Sequence, residues 1–574
     1  MQSEINGFPN LEIKDSMEVS MEDNMETNEH SENKIKDKEH LLEFNDEIET
    51  IRIYNPTPYK KILQNLMHIS FPFTLDNFLI IGTRFGDAYI ISLLGTEALA
   101  ANAIIVSIRQ LALSTNASLF QALQPIVGEK YSQEKYKEIG GIAQKCFLIS
   151  GFICLPWMVS LYNIDAILLA INQPRDRALL IGKYFKPFIW GLPGYLGLEC
   201  LTQLALTIKK PYFLLPITTI RLITDLVLSY NLAKSANLNI TGLGIASAVY
   251  PWITLIIALT YLRLSNKFNS YELFKLNLKD FKAFLKQLLV IGVPIALSNV
   301  AEYFATFIKT SLLLSSLANS NVVLAAYGIS NQLVTWLNTP TVSIATAVSI
   351  LVAQAAGNKS YVDFNRIAYL GLGICLGIIL LFFPVYALAY KPLTSIFINV
   401  NDIGNQAILE HTKKLLPIMA CGAMAYSAGV NLTGALRGLK STKVAFTANL
   451  MSSWLIMLGG GYLLSPKMGV EGVILAQIIG LIIRSMILFC YWQYRNKQDE
   501  LTASTMVGSF KGCTVGFFNS IKSNHDTSIR FSLLKQSRFF VNNNQNNSND
   551  LLVNNEVIPN LEELAADQSS QKIN

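Results

Sequence analysis

The chain has 574 residues, of which 51% are hydrophobic and 15% are charged, and its formal net charge is +6. This composition is too apolar and too poor in charge for an ordinary soluble protein, and it predicts a chain that folds in a lipid bilayer. The basic residues lie mostly in short connectors between apolar stretches, which argues against a nucleic-acid partner.

Five regions follow in chain order. Residues 1–58 are acidic and polar and predict a disordered cytoplasmic tail without a cleaved signal peptide. Residues 59–263 predict a first lobe of six helices, residues 264–283 a basic linker on the cytoplasmic surface, and residues 284–496 a second lobe of six helices. Residues 497–574, which include an Asn-rich tract, predict a second, largely disordered cytoplasmic tail.

About twelve apolar stretches are long enough to cross roughly 30 Å of hydrocarbon. The predicted spans start near residues 62, 99, 142, 179, 212, 241, 284, 324, 366, 408, 444 and 470. An even number of spans places both tails on one side of the membrane. Because the connectors on that side carry most of the Lys and Arg residues, both termini are predicted to be cytoplasmic.

The two halves of the chain resemble each other. The tripeptide Leu-Ala-Ala at residues 99–101 recurs at residues 324–326, and Gly244 has its counterpart in Gly472. The distance along the chain between these matching residues spans six helices. Both halves therefore cross the membrane in the same sense, and an axis near the membrane normal relates them. The predicted fold class is therefore an all-α polytopic membrane protein with two pseudo-symmetric six-helix bundles around a central cleft.

Charged residues inside the predicted spans are candidates for function, because a charge at mid-bilayer costs roughly 2.5 to 3.5 kcal/mol on insertion scales. The acids are Asp76, Asp87, Glu199, Asp225 and Glu302, and the bases are Arg84, Arg109, Arg221, Lys309 and Arg484. Their near balance predicts that several form structural ion pairs.

Three of the spans carry the charges that suit cation coupling. On the first helix, Asp76 and Asp87 lie within about 20° of one face. Asp87 either pairs with Arg84 at i, i+3 or faces the cleft and binds a proton or sodium. On the fifth helix, Arg221 and Asp225 at i, i+4 can form a local ion pair, and both are predicted to face inward whether or not they do. On the seventh, Glu302 is predicted to be a free carboxylate that exchanges a proton.

Further candidates line the predicted substrate cleft. They are Asp76, Arg84, Arg221, Lys309, Tyr303, Trp336 and Tyr426. The aromatic members suit flat organic cations through cation–π contact, although aromatic residues also serve as core and interface anchors.

These residues resemble those of the multidrug and toxic compound extrusion (MATE) transporters, over about residues 62–492. The stretch from Pro72 through Asp87 to residue 101 is similar to the first helix and the start of the second in that family. Residues 347–350 resemble the end of its eighth helix, and residues 434–438 the end of its tenth. The resemblance implies two six-helix bundles that alternate between inward-facing and outward-facing states and export drugs or metabolites against sodium or proton entry.

The resemblance also implies roles for single residues. Asp87 matches the first-helix aspartate of the family, and Glu302 the seventh-helix glutamate of one branch. Asp225 matches the fifth-helix aspartate of another branch, in which Ser247 stands where that branch has a threonine. Two departures stand out. Arg221 occupies the place of a usual asparagine, and Tyr426 that of a second acid. Because sodium wants several oxygen ligands, coupling to protons is preferred over coupling to sodium at Asp87 and Asp225 or at Glu302.

The predicted function is export of small organic, cationic or amphiphilic compounds by proton or sodium antiport. A flippase for lipids or lipid-linked sugars, or an exporter of organic anions, remains open because the bases suit an anionic group. A membrane enzyme is disfavoured, since no His-rich or paired Asp motif recurs near a membrane face. The protein is predicted to be a monomer with a small-molecule substrate and no cofactor.

Overall fold

The computed structural model describes residues 57–94, 96–170, 174–273, 275, 279–314, 317, 320–358, 360–402 and 405–523. The predicted tails therefore lie outside the described residues, apart from residues 57 and 58 and residues 497–523. All regular secondary structure in the described ranges is helical, as the sequence predicts.

The described residues of the first half form nine α-helices. They are α1 (Tyr59–Ser92), α2 (Thr96–Phe120), α3 (Leu123–Ser132), α4 (Tyr136–Tyr162), α5 (Ile164–Ala170), α6 (Arg175–Phe188), α7 (Leu192–Thr207), α8 (Leu214–Tyr230) and α9 (Asn239–Leu264). Short 3₁₀ turns at Ile189–Gly191 and Pro211–Phe213 precede α7 and α8, and the π-helix Asn231–Ser235 follows α8.

The second half repeats this order with seven α-helices in the described residues. They are α10 (Phe281–Ile308), α11 (Ser320–Gly357), α12 (Tyr361–Leu388), α13 (Tyr390–Ser395), α14 (Gln406–Gly438), α15 (Thr442–Leu450) and α16 (Gly460–Ser523). Two π-helical segments, Lys309–Leu314 and Met451–Gly459, follow α10 and α15. Gly469 interrupts α16 with φ 60°, a left-handed conformation that suits glycine.

Eight segments of the described residues are long and apolar enough to cross a membrane. One of them, Thr442–Lys497, contains two predicted spans that meet at Gly469. The remaining predicted spans correspond to α1, α2 and the pair α6 and α7. These helices carry most of the intramembrane charges of the first lobe, which lower their hydropathy.

The two lobes meet along a seam near the connectors that follow α3, α7, α11 and α14. A buried apolar cluster joins the lobes there and includes Leu66, Leu206, Ile350, Leu436 and Trp492. Because one cluster draws on both lobes, this end of the cleft is closed by a packed core.

Polar and close-packed contacts continue the seam. Glu129 pairs with Lys440, and the Gln354 amide donates to the Thr207 carbonyl at 2.9 Å. A Cβ built on Gly128 would lie 2.9 Å from the Cβ of Ala353, so α3 and α11 approach as closely as small residues allow.

The basic linker docks on the first lobe. A Cβ on Gly140 would lie 1.9 Å from the Tyr271 carbonyl oxygen, so only glycine fits beneath the linker. Glu272 pairs with Lys137 at 3.2 Å and with Lys275 at 3.5 Å, and these lysines hold the pKa of the Glu272 carboxyl below its usual range. The helix that follows starts at Phe281, three residues before the predicted start.

A second unit begins at residue 497, and the structure describes its residues 497–523. In these residues α16 continues to Ser523, where the sequence predicts little order. No proline occurs between residues 467 and 523 to stop the helix.

Candidate functional site: charged clusters in two helical lobes

In the first lobe, a hydrogen-bonded chain joins four helices. The Arg109 guanidinium on α2 donates to the Asp87 carboxylate on α1 at 3.2 Å and to the Tyr184 hydroxyl on α6 at 3.2 Å. The Tyr184 hydroxyl in turn lies 3.1 Å from the Ser247 hydroxyl on α9. Asp87 and Ser247, both predicted from sequence, are therefore brought into one network.

The structure excludes the Asp87–Arg84 ion pair, which is one of the two alternatives that the sequence leaves open for the first helix. The carboxylate pairs with Arg109 and forms no ion pair with Arg84. Although Arg84 is only three residues away, its side chain is exposed, whereas that of Asp87 is buried. The second oxygen of Asp87, Oδ1, is buried without a hydrogen-bond partner among the described residues.

Asp225 lies deep in the same lobe, next to this network. It is 2% exposed, and the Ser229 hydroxyl donates to it at 3.4 Å. Asp87, Arg109 and Arg221 act on it electrostatically, so the sequence-predicted acids of α1 and α8 share one electrostatic environment.

Arg221 does not form the local ion pair with Asp225 that the i, i+4 spacing suggests as an alternative. Its guanidinium lies over the rings of Tyr195, at 5.3 Å, and Tyr250, at 5.4 Å, and donates to the Tyr250 hydroxyl at 3.5 Å. Its Nε is buried without a partner among the described residues. Aromatic faces from α7 and α9 thus draw the side chain away from its own helix.

The other two intramembrane acids of the first lobe, Asp76 and Glu199, have neutral hydrogen-bond partners. Asp76, which is buried, accepts a hydrogen bond from the Thr218 hydroxyl. Glu199 accepts from the Gln203 amide at 2.8 Å, and Gln203 accepts from Gln124 at 2.9 Å. Asp76 is therefore buried between α1 and α8 and does not line a cleft.

In the second lobe, Glu302 is not the free carboxylate that the sequence predicts. Arg484 lies 3.6 Å from its Oε2, and the Asn449 amide donates to the same oxygen at 3.2 Å. Arg484 also donates to the Asn449 carbonyl oxygen at 2.9 Å, which closes a three-residue ring between α10, α15 and α16. The physical reason is that Arg484, a base 182 positions later in the chain, reaches Glu302. Lys309, which directly follows α10, donates to Gln477 instead.

This ring sits beside irregular backbone. Asn449 is followed at once by the π-helical segment Met451–Gly459, which packs against α10. Its amide also donates to the carbonyl and hydroxyl oxygens of Ser298, at 2.9 and 3.0 Å. Because π-helical turns are rare and concentrate at functional sites, this backbone supports a functional role for the Glu302 ring.

Lys309 is buried at 1% exposure in another part of the second lobe. Its ammonium group donates to the Gln477 carbonyl oxygen at 2.8 Å and lies 4.8 Å from the Tyr327 ring centroid. Among the described residues it forms no ion pair. It is buried within the second lobe, so it is not a residue of the cleft.

The remaining cleft candidates lie at or near the boundary of the lobes. Phe85 of α1 contacts Trp336 of α11 edge to face at 5.6 Å, and Tyr303 of α10 is 40% exposed. Tyr426 and Tyr303 both interact electrostatically with Glu302. The structure therefore places Phe85, Trp336 and Tyr303 between the lobes, and Tyr426 beside the Glu302 ring.

Sequence reasoning missed two of the partners, Asn449 and Tyr184. It identified Arg109 and Arg484 only as intramembrane bases. A polar Asn449 within an apolar stretch was a usable signal, but no pattern in the sequence marks Tyr184 among the many tyrosines.

A model of the family described as MatE matches residues 72–231 and 294–463, which is more than half of the chain. The chain belongs to the MatE family. The two matched stretches correspond to the two lobes, and the resemblance seen in the sequence is confirmed. The MatE chain is a multi-pass membrane transporter of small molecules rather than an enzyme.

Curated relatives of this MatE chain include two bacterial proteins, each named "Probable multidrug resistance protein NorM". The one from Synechococcus sp. is 23% identical over 428 residues, covering 73% of this chain and 91% of the relative. The one from Mannheimia succiniciproducens is 26% identical over 471 residues, covering 79% and 98%. The likeness thus extends over nearly the full length of both relatives.

Solved structures confirm the fold. The eukaryotic MATE transporter AtDTX14 superposes with a TM-score of 0.69 at 18% identity, covering 77% of this chain and 98% of that one. A MOP superfamily transporter from Pyrococcus furiosus, whose title describes a binding pocket of reverse polarity, gives a TM-score of 0.70 at 15% identity, covering 78% and 100%. The predicted two-lobed helical architecture is therefore confirmed.

Proposed function

We propose that this MatE chain exports small organic molecules by antiport with protons, through alternating access between its two lobes. The relatives named as multidrug resistance proteins support export, and the seam supports alternation because it closes one end of the cleft. The positive charge of the connectors at the seam supports a cytoplasmic location for that end and for both termini.

Asp225 is the observation that carries the proposal. It is a buried carboxylate that forms no ion pair with any described residue, and it lies in electrostatic range of Asp87. Asp87 already holds Arg109. A proton on one of the two acids removes their mutual repulsion, so the pair offers a site that gains and loses a proton as the lobes move.

Protons suit this site better than sodium does. A hard cation needs several oxygen ligands, whereas Arg109 and Arg221 place two fixed positive charges beside Asp87 and Asp225. Among the described residues, no group of three or more His, Cys, Asp or Glu side chains is placed to hold a metal ion. A carboxyl group needs no such shell to bind a proton.

The test is efflux from proteoliposomes under an imposed pH gradient, at fixed pH with sodium replaced by potassium. Wild-type protein should transport in both salts. The gradient-driven transport rate of Asp225→Asn should be at least about tenfold lower, because the amide cannot exchange the proton. Asp165→Asn is the matched control, since Asp165 pairs with Lys186 outside the clusters. An absolute need for sodium, or full activity of Asp225→Asn, would refute proton coupling at this site.

A further inference from the structure

The exposed charge between the lobes is Arg84. Its side chain is exposed on α1, although residues of both lobes surround it. The groups that act on it electrostatically are Tyr195 of the first lobe, Tyr303 of the second, Arg109 and Arg221. None of these is a carboxylate, and Arg84 forms no ion pair within the part of the chain that the structure describes.

The acids that could neutralise Arg84 are engaged elsewhere. Asp87 holds Arg109, Glu302 holds Arg484, and Asp76 accepts from Thr218. Asp76, Asp87 and Asp225 are each at most 7% exposed. The first lobe therefore keeps its negative charge inside and presents a guanidinium to the cleft.

A guanidinium without a counter-ion in a membrane protein costs free energy, so such a residue is expected to have a function. Its planar fork matches the oxygens of carboxylate, sulfonate and phosphate groups, to which it donates two parallel hydrogen bonds. Tyr195 and Tyr303 add an aromatic ring from each lobe and a hydroxyl group that can donate to an anion.

We propose that Arg84, with Tyr195 and Tyr303, binds the anionic group of the transported molecule, so that the substrates of this transporter are organic anions with a flat body. This inference rests on the proposed export function and favours the organic-anion alternative, which the sequence leaves open, over a cationic substrate. Because each lobe supplies one tyrosine, separating the lobes divides the site, and the bound anion is released as the lobes rearrange.

Binding and transport are measured separately on the purified full chain. Binding of 5-carboxyfluorescein, an aromatic anion, and of ethidium, an aromatic cation, is followed by fluorescence anisotropy in detergent. The variants are Arg84→Gln, Arg84→Lys and, as a matched control, Arg177→Gln on the exposed start of α6.

Wild type and the Arg177→Gln control should bind carboxyfluorescein, and Arg84→Gln should weaken this binding about tenfold or more, since a charged hydrogen bond to the anion is lost. Arg84→Lys should keep the charge and recover part of the affinity. Ethidium that binds as tightly as carboxyfluorescein, or anion binding unchanged in Arg84→Gln, would overturn the proposal.

Two transport arms identify the source of the anion. Export of carboxyfluorescein from proteoliposomes, lost in Arg84→Gln, supports a soluble substrate. Movement of fluorescent phosphatidylglycerol between leaflets, lost in the same variant, supports a lipid headgroup at the same anion site. If wild type binds carboxyfluorescein through Arg84 but a pH gradient drives no flux, the anion site stands and the proposed antiport fails.

Discussion

At the scale of single residues, the charges of this transporter are sorted by their surroundings. Arg109 and Arg484 neutralise an acid in each lobe, Arg221 lies between two tyrosine rings, and Arg84 faces the cleft. The near balance of acids and bases in the sequence does not show that these arginines have three different environments. Arg109 and Arg484 stabilise the fold, and Arg221 and Arg84 shape the electrostatics of the site.

The ring of Glu302, Asn449 and Arg484 should contribute to stability. Arg484→Met removes the guanidinium that donates to the buried Asn449 oxygen and pairs with the Glu302 carboxylate, so we expect a loss of about 1 to 3 kcal/mol of stability, discounted because the Glu302 side chain is 36% exposed. The measurement is the apparent Tm of purified protein in detergent, with Lys467→Met, an exposed position, as control.

In the double variant Arg484→Met with Glu302→Gln, the loss should be smaller than the sum of the single losses, because each change removes the same contact. Additive effects would mean that the two side chains do not interact.

At the scale of helices, packing depends on glycines at crossing points. A Cβ on Gly434 of α14 would lie 2.3 Å from the Ala345 carbonyl oxygen of α11, which is backbone and cannot rotate away. A Cβ on Gly373 of α12 would meet no atom within 4 Å. Small residues let membrane helices approach closely, so the two glycines have different roles in spite of the same chemistry.

Gly434→Ala and Gly373→Ala form a matched pair. We expect Gly434→Ala to destabilise the protein by about 1 to 3 kcal/mol because α11 and α14 must move apart. Gly373→Ala should be neutral or stabilising by about 0.5 to 1 kcal/mol, since alanine favours the helix. Thermal melting monitored by size-exclusion chromatography separates the two, and equal melting temperatures would contradict the close crossing.

At the scale of the whole transporter, the seam decides which end of the cleft is closed. Contacts between the lobes lie on α3, α7 and α11, near connectors that are distant in sequence. Since the seam has a packed core, we expect it to open as a unit, which would give the proposed alternating access two discrete states.

A disulfide across the seam should stop transport. Gly128→Cys with Ala353→Cys places two thiols across the seam, after Cys421, Cys490 and Cys513 are replaced by Ser; their Cβ atoms would start 2.9 Å apart, so α3 and α11 must separate by about 1 Å to reach the Cβ spacing of a disulfide. Oxidation should abolish most of the flux in proteoliposomes, and reduction should restore it.

The single variant Gly128→Cys, oxidised in the same way, controls for the substitution. Undiminished flux through the cross-linked protein would show that the seam does not open during transport.

The sequence by itself determined that the chain folds in a lipid bilayer, how many spans it has and that it repeats as two lobes. The lengths of the apolar stretches and the distance between matching residues are properties of the chain alone. It also selected the acids Asp87, Asp225 and Glu302, since an intramembrane charge is conspicuous in an apolar stretch. Only the tertiary structure decided the partner of each charge. Asp87 pairs with Arg109 and not with Arg84, which is nearer in sequence, and Glu302 pairs with Arg484. These partners are set by how the helices pack and not by spacing along one helix.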